Sequence, residues 1–280
     1  MTLAATLTLV ALSGCATRNP SGAVQTSPEA AWQVFRQQYC TPSKKPGLLV
    51  KASLSYSRPK PIKRSNRTVI SMWGNFSGPM RLDISAGIGK LLAHIREDTN
   101  GLLVFYPSDK VAYTHTNPVL GATRLGMPFP FSLNELANIV NGDFSGLVPN
   151  EYAEPGLQNS DFSYQFSNGL VSRLVLNETG RPILLEGRTT KAYETAQAWR
   201  LEINTYKEAV DKSAPLPEKL TLALDNGEKG VLRIKARELK VAPWPAKATD
   251  LKLPKNVKTI RLDNRHSPSR NQDMPVVYTD

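Results

Sequence analysis

Histidine and cysteine are scarce in this chain, three and two residues among 280, and that scarcity removes most catalytic chemistry at the outset. His94, His115 and His266 lie far apart and fit no HExxH or comparable ligand spacing, so convergence on a metal is not expected. A solvent-facing or turn role is expected instead for His94 and His115. No GxSxG elbow is present. Gly87-Ile88-Gly89-Lys90 lacks the earlier glycine of a phosphate loop and carries Leu91 where Ser or Thr would hold magnesium. Glu97 and Asp98 are adjacent, and neighbouring residues of a strand face opposite ways, so they form no acid/base pair. An enzyme, a metal and a cofactor are accordingly not expected.

Long hydrophobic runs are also missing. The uncharged stretch 3–12 (LAATLTLVAL) is too short to span a bilayer and suits the core of a signal peptide, although no Lys or Arg precedes it. Leu12-Ser13-Gly14-Cys15 closes that run with small residues before a cysteine, which predicts a signal peptide over 1–14 and diacylglyceryl modification of Cys15. Two acyl chains anchor a protein stably where one does not. Ala16 rather than aspartate follows, favouring an outer-membrane anchor facing the periplasm. Residues 15–26 then read as a lipidated N-terminus and flexible tether. With Cys15 modified, Cys40 has no disulfide partner and is expected to be a packed thiol.

What the chain does have is positive charge, +11 with an isoelectric point near 9.6. In an exported protein that balance points away from nucleic acid and toward anionic lipid, lipopolysaccharide or peptidoglycan, or simply a solvated surface.

Ser27, Pro28 and the stripe Trp32, Phe35 and Tyr39 predict a capped helix whose aromatic face packs on a sheet or lines a ligand box. Beyond residue 47 the period changes to two. Val50, Ala52, Leu54 and Tyr56 oppose Lys51, Ser53, Ser55 and Ser57, and similar alternation recurs through Met80, Leu82 and Ile84, through Phe162, Tyr164 and Phe166, and through Trp199, Leu201 and Ile203. Asp225-Asn226-Gly227 marks a turn between two further strands. Ser132 with Glu135 forms a capping box opening a helix that Gly142 ends. No strand-helix-strand rhythm appears, so a parallel nucleotide-binding sheet is not expected. The expected fold is mainly β, a strongly curved antiparallel sheet of about eleven strands forming an unclosed half-barrel over 27–239, with short helices on its concave face. Proline and basic residues over 240–280 predict an extended or disordered tail.

An aromatic interior of that kind suits acyl chains, or it is simply filled. Candidate wall residues are Trp73, Phe76, Leu82, Ile84, Phe105, Tyr113, Phe162, Tyr164 and Trp199, with Trp32 and Phe35 on the first helix.

Gly126-Met127-Pro128-Phe129-Pro130-Phe131, followed by Leu133, Leu136, Ile139 and Gly142, resembles the LolA/LolB superfamily of lipoprotein carriers, and its LolB branch most. The strand and loop Leu82-Asp83-Ile84-Ser85-Ala86-Gly87-Ile88-Gly89 is similar to the family's protruding hydrophobic loop, with Ile88 at the protruding position. The resemblance covers residues 27 to about 206. It implies a helix-covered half-barrel that binds lipoprotein acyl chains, accepts them from a periplasmic LolA-like carrier and inserts them into the outer membrane without a cofactor. It adds Phe129, Phe131, Leu136 and Ile139 to the cavity candidates and makes Gly87, Ile88 and Gly89 a membrane-insertion loop. The alternative is a scaffolding envelope lipoprotein with a filled barrel and a partner-binding basic tail.

Overall fold

The alternating stretches do form strands. The computed structural model describes residues 27–59, 62–87, 89–127, 129–158, 160–189, 196–208 and 214–263; the expected signal peptide, Cys15, the tether and Ile88 lie outside them. Helix α1 (Pro28–Tyr39) leads into a first meander, β1 (Gly47–Arg58), β2 (Arg64–Asn75), β3 (Met80–Ala86), β4 (Lys90–Asp98), β5 (Gly101–Tyr106) and β6 (Val111–His115). Two short helices follow, α2 (Pro118–Arg124) and α3 (Leu133–Val140). A second meander comprises β7 (Glu154–Gln158), β8 (Asp161–Gln165), β9 (Val171–Leu176), β10 (Pro182–Arg188), β11 (Ala198–Lys207), β12 (Leu216–Leu224) and β13 (Lys229–Lys240). Helix α4 (Ala246–Thr249) and β14 (Lys258–Arg261) end the described chain.

Because β13 pairs with β1, the two meanders fuse into one sheet in the order β14-β6-β5-β4-β3-β2-β1-β13-β12-β11-β10-β9-β8-β7. Every pairing is antiparallel except β14 on β6, which is parallel. The fourteen strands among the described residues exceed the eleven expected from alternation. Segments such as β7, with Pro155 and Gly156, and the four-residue β14 carry too little periodicity to be read that way.

Register aligns the apolar side chains across strands. Val50, Met72, Leu82, Ile95, Val104 and Tyr113 follow one another laterally from β1 to β6, and Leu201 stands opposite Leu222 in the second meander. These residues are buried on the face that carries α1, α2 and α3. On α1, the Ser27 hydroxyl accepts from Ala30 N–H and Pro28 takes the first turn, while Ala31, Trp32, Phe35 and Tyr39 turn inward.

Of the segment expected to be extended or disordered, residues 241–263 are described and pack against the sheet. Residues 244–250 cross the opposite face of β2–β4. Asn75 donates from Nδ2 to the Trp244 carbonyl at 3.2 Å and accepts the Trp244 N–H on Oδ1 at 2.8 Å. Trp73 Nε1 donates to the Ala248 carbonyl at 2.9 Å, and Arg96 Nε donates to the Thr249 carbonyl at 3.0 Å. Farther on, β14 adds an edge strand and Leu262 is buried in the core. The prolines that suggested disorder set an extended path, and the carbonyls along that path receive side-chain donors from the sheet.

Replacing Asn75 by alanine strips both hydrogen bonds from Trp244. We expect Asn75→Ala to destabilise the fold by about 2 kcal/mol, read as a lower urea midpoint at unchanged slope, and to expose the 241–263 segment to proteolysis before the sheet.

Candidate functional site

The helix-bearing face is covered unequally. Over β7–β9, α1 packs tightly: the Trp32 ring stands 5.1 Å from Tyr164, 5.0 Å from Tyr152 and 5.5 Å from Phe35, and Tyr164 Oη donates to the Pro28 carbonyl at 2.5 Å. That half is filled core. Over β1–β5, α2, α3 and the connection between them stand off from the sheet and leave a predominantly apolar cavity of about 290 Å³. Its floor is Leu54, Ile70, Leu82, Ile84, Ala93 and Ile95; Leu102 and Tyr106 close one side and Leu222 the other.

The cover is held by local chemistry. Helix α2 ends in a Schellman motif, with Gly126 at φ 72, its N–H bonded to the Thr123 carbonyl and the Met127 N–H bonded to the Ala122 carbonyl. That turn aims Met127, Phe129 and Phe131 at the cavity. Helix α3 starts with the expected capping box, Ser132 Oγ accepting from Glu135 N–H at 3.1 Å and Glu135 Oε2 accepting from Ser132 N–H at 2.7 Å.

Sequence reading did not anticipate Glu97. This buried β4 carboxylate reaches across to α3, where Oε2 accepts the Leu133 N–H at 2.7 Å and Oε1 the Asn134 N–H at 3.4 Å. It therefore ties the cover to the floor at a helix N-terminus, where negative charge is favoured. Burial nevertheless raises its pKa above the ordinary value, outweighing the two N–H donors.

Of the predicted wall residues, Leu82, Ile84, Phe129, Phe131 and Leu136 line the cavity, and Ile139 lines a small void beneath Phe131. Trp32, Phe35, Phe162 and Tyr164 belong to the filled α1 half. Trp199 packs edge-on behind Phe131 at 5.0 Å, and Tyr113 against Tyr106 at 5.9 Å. Phe76 lies in the β2–β3 turn, half-buried against the core. Trp73 and Phe105 are on the wrong face for a wall: Trp73 is paired with Arg81, whose guanidinium lies 5.2 Å from its ring, and Phe105 stacks on His94 at 6.1 Å. Residues missed by alternation include Leu92. A bulge between Ile84 and Ser85 inserts it next to Ala93, so both border the cavity.

The titratable groups expected to be inert have structural partners. His94 Nδ1 is 2.7 Å from Asp83 Oδ1 on the opposite face. His115 is buried, correcting a solvent-facing role, and keeps the turn role: its Nδ1 accepts from Asn117 N–H at 2.9 Å. Burial pushes the Cys40 thiol up to about 12, so it is not a nucleophile near neutral pH. Among the described residues, no group of three His, Cys, Asp or Glu could hold a metal, and no helix is long and apolar enough to cross a membrane.

No family model matches the chain, and no curated protein matches it in sequence. Solved structures do match. A domain from Vibrio parahaemolyticus described as an outer-membrane lipoprotein-sorting protein aligns at 9% identity with a TM-score of 0.51, covering 80% of this chain and 97% of that one. A LolA superfamily protein from Nitrosomonas europaea aligns at 12% identity with the same TM-score, covering 80% and 98%. The fold is similar to that of these two solved structures. The likeness extends over nearly the whole of both solved chains and over four-fifths of this one.

Glu97 yields a pH signature. Its folded-state pKa is raised, so between the unfolded and folded values the folded protein holds a proton that the unfolded chain has released, and stability falls as pH rises through that window. Unfolding titrations from pH 4 to 8 should show this downward component, and Glu97→Gln should remove it while retaining an acceptor for Leu133.

Proposed function

We propose that this protein is a LolB-type acyl-chain carrier, anchored to the outer membrane through Cys15, that receives lipoproteins from a LolA-like periplasmic carrier and helps insert them. The observation that carries this reading is the cavity. A filled interior would suit a scaffold, whereas a roofed apolar space of about 290 Å³ suits a hydrocarbon chain. Leu102 on β5 and Leu222 on β12 both border it, although six strand spacings separate them in the sheet order. At about 4.8 Å per spacing they would stand roughly 29 Å apart on a flat sheet, which supports a sheet curled into a half-barrel around the chain.

The β3–β4 hairpin supports the insertion step. Gly87 and Gly89 have φ of 50 and 84, and a Cβ at either would meet nothing within 4 Å. The turn thus projects into open space, and Ile88, outside the described residues, sits at its tip in sequence. An apolar tip followed by Lys90 fits entry into a bilayer with the ammonium at the headgroups. Transfer needs no cofactor, because each methylene moved into a more apolar site gains about 0.8 kcal/mol.

Gentle purification of the full chain followed by lipid mass spectrometry should find bound acyl species; a protein that never carries one counts against the reading. Ala93→Phe, placed on the cavity floor, should weaken acyl binding about tenfold by displacing roughly two methylenes, with circular dichroism unchanged. Ile88→Glu should preserve folding and acyl binding but slow lipoprotein delivery to vesicles; undiminished delivery removes the loop from the mechanism.

A further inference from the structure

Positive charge is concentrated around one hairpin. Residues 30–82 hold ten Lys or Arg and no Asp or Glu, in a chain whose whole net charge is +11. Strands β1 and β2 with the turn that joins them carry six of the ten. In that turn Ile62 is 63% exposed, and the exposed Lys63 follows it. On β2, Arg67 and Val69 alternate with Thr68 and Ile70 of the cavity wall, so they point out of the other side of the sheet. Register places Val69 and Arg233 on either side of Ser53, two strand spacings or about 10 Å apart, with Lys51 two residues farther along β1.

This part of the outer face is open. The C-terminal segment is bonded to it at Trp73, Asn75 and Arg81, whereas Val69, four residues nearer the hairpin, is 49% exposed. Lys51, Lys63, Arg67 and Arg233 are exposed, and among the described residues none of the four has an ion pair or a side-chain hydrogen bond. Exposed aliphatic side chains set among cations, with no aromatic ring on the outward positions of β1 and β2 between Lys51 and Val69 to stack on a base, suit a bilayer surface and not a nucleic acid. The neighbouring turn agrees. Thr68 pairs with Ala86, so the β3–β4 turn, where Gly87 and Gly89 meet open space, lies at the same end of the sheet.

We propose that the β1–β2 hairpin and the outward side of β2, β1 and β13 beside it dock on a bilayer containing anionic phospholipid. Ile62 enters the acyl boundary, and Lys63, Arg67, Lys51 and Arg233 lie among the phosphates. This rests on the membrane placement in the carrier reading, not on the cavity, and adds the charge of the lipid and the end of the sheet that meets it. The cavity borders Tyr56 and Arg58 at that end, which sets its edge beside the contacted surface.

Vesicle co-sedimentation tests this with the full chain carrying Cys15→Ser, so that no acyl anchor masks the contact. Vesicles of equimolar phosphatidylglycerol and phosphatidylcholine should bind it far more tightly than phosphatidylcholine alone, and added salt should weaken the binding. Lys63→Gln with Arg67→Gln should weaken it roughly 25-fold, about fivefold for each cation, with circular dichroism unchanged. The charge-matched pair Lys44→Gln with Lys45→Gln, before β1 at the opposite end of the sheet, should leave it as it was. Ile62→Ser should cost about tenfold on both kinds of vesicle while preserving the preference for the anionic one. Equal losses from the two lysine- and arginine-directed pairs overturn the patch in favour of diffuse net charge, and equal binding to both vesicles overturns the anionic partner. Polyglutamate bound through Lys63 and Arg67 by a protein that ignores vesicles makes the partner an acidic protein and overturns the lipid. A protein that carries acyl chains yet ignores anionic vesicles loses this docking surface and keeps the carrier reading; one that docks but never carries an acyl chain does the reverse.

Discussion

Every strand from β1 to β13 turns alternate side chains to one face, so the chain must cover a broad apolar surface with very little helix. It does so unequally. Helix α1 brings Trp32, Phe35 and Tyr39 down onto Tyr164, Phe166 and Phe144, and aromatic rings at 5–6.5 Å fill the space. Helices α2 and α3 are seven and eight residues long, too short to blanket β1–β5. The cavity is the area left between a wide sheet and a small cover, and its position follows from where α3 is pinned by Glu97.

The opposite face poses the same problem for charged groups. Arg81 and Arg96 stand side by side there, one buried and the other mostly so. The backbone of 244–250 accepts their hydrogen bonds, and Asp83 and Asp98 pair with them. The C-terminal segment thus covers the outer side of the sheet and, in burying these arginines, supplies carbonyl acceptors in place of the water it displaces. Asp263 closes the path by accepting from Thr116, which holds its carboxyl well below the usual range.

Much of this was legible in sequence because it is local. Ser27-Pro28, the Ser132/Glu135 box and Asp225-Asn226-Gly227 act within a few residues, and each forms where the residues place it. The cavity wall was legible only in part. Leu82 and Ile84 follow strict alternation and line it, but Trp73 breaks the rule that large aromatics face the core, since a second layer of chain covers its face. The sequence spacing between Trp73 and Ala248 gives no hint of that hydrogen bond. Alternation carries the face of Leu54 and Tyr56 on to Arg58, but that Arg64 stands opposite it is seen only once the β1–β2 register is known. The Leu92 bulge shifts the phase of β4 by one residue, which no periodicity test over so short a strand resolves.

An apolar space of this size has an energetic consequence. Apolar side chains that border a space rather than one another forgo packing contacts worth about 0.1–0.2 kcal/mol per atom pair. Larger side chains at Ala93 or Ala122 would remove much of that cost, and both positions border the space. A fold optimised only to stand would be filled there, as it is around α1. The two halves of one face thus differ in kind: around α1 aromatic rings close to contact, whereas over β1–β5 the cover is tied to the floor at Glu97 rather than packed onto it.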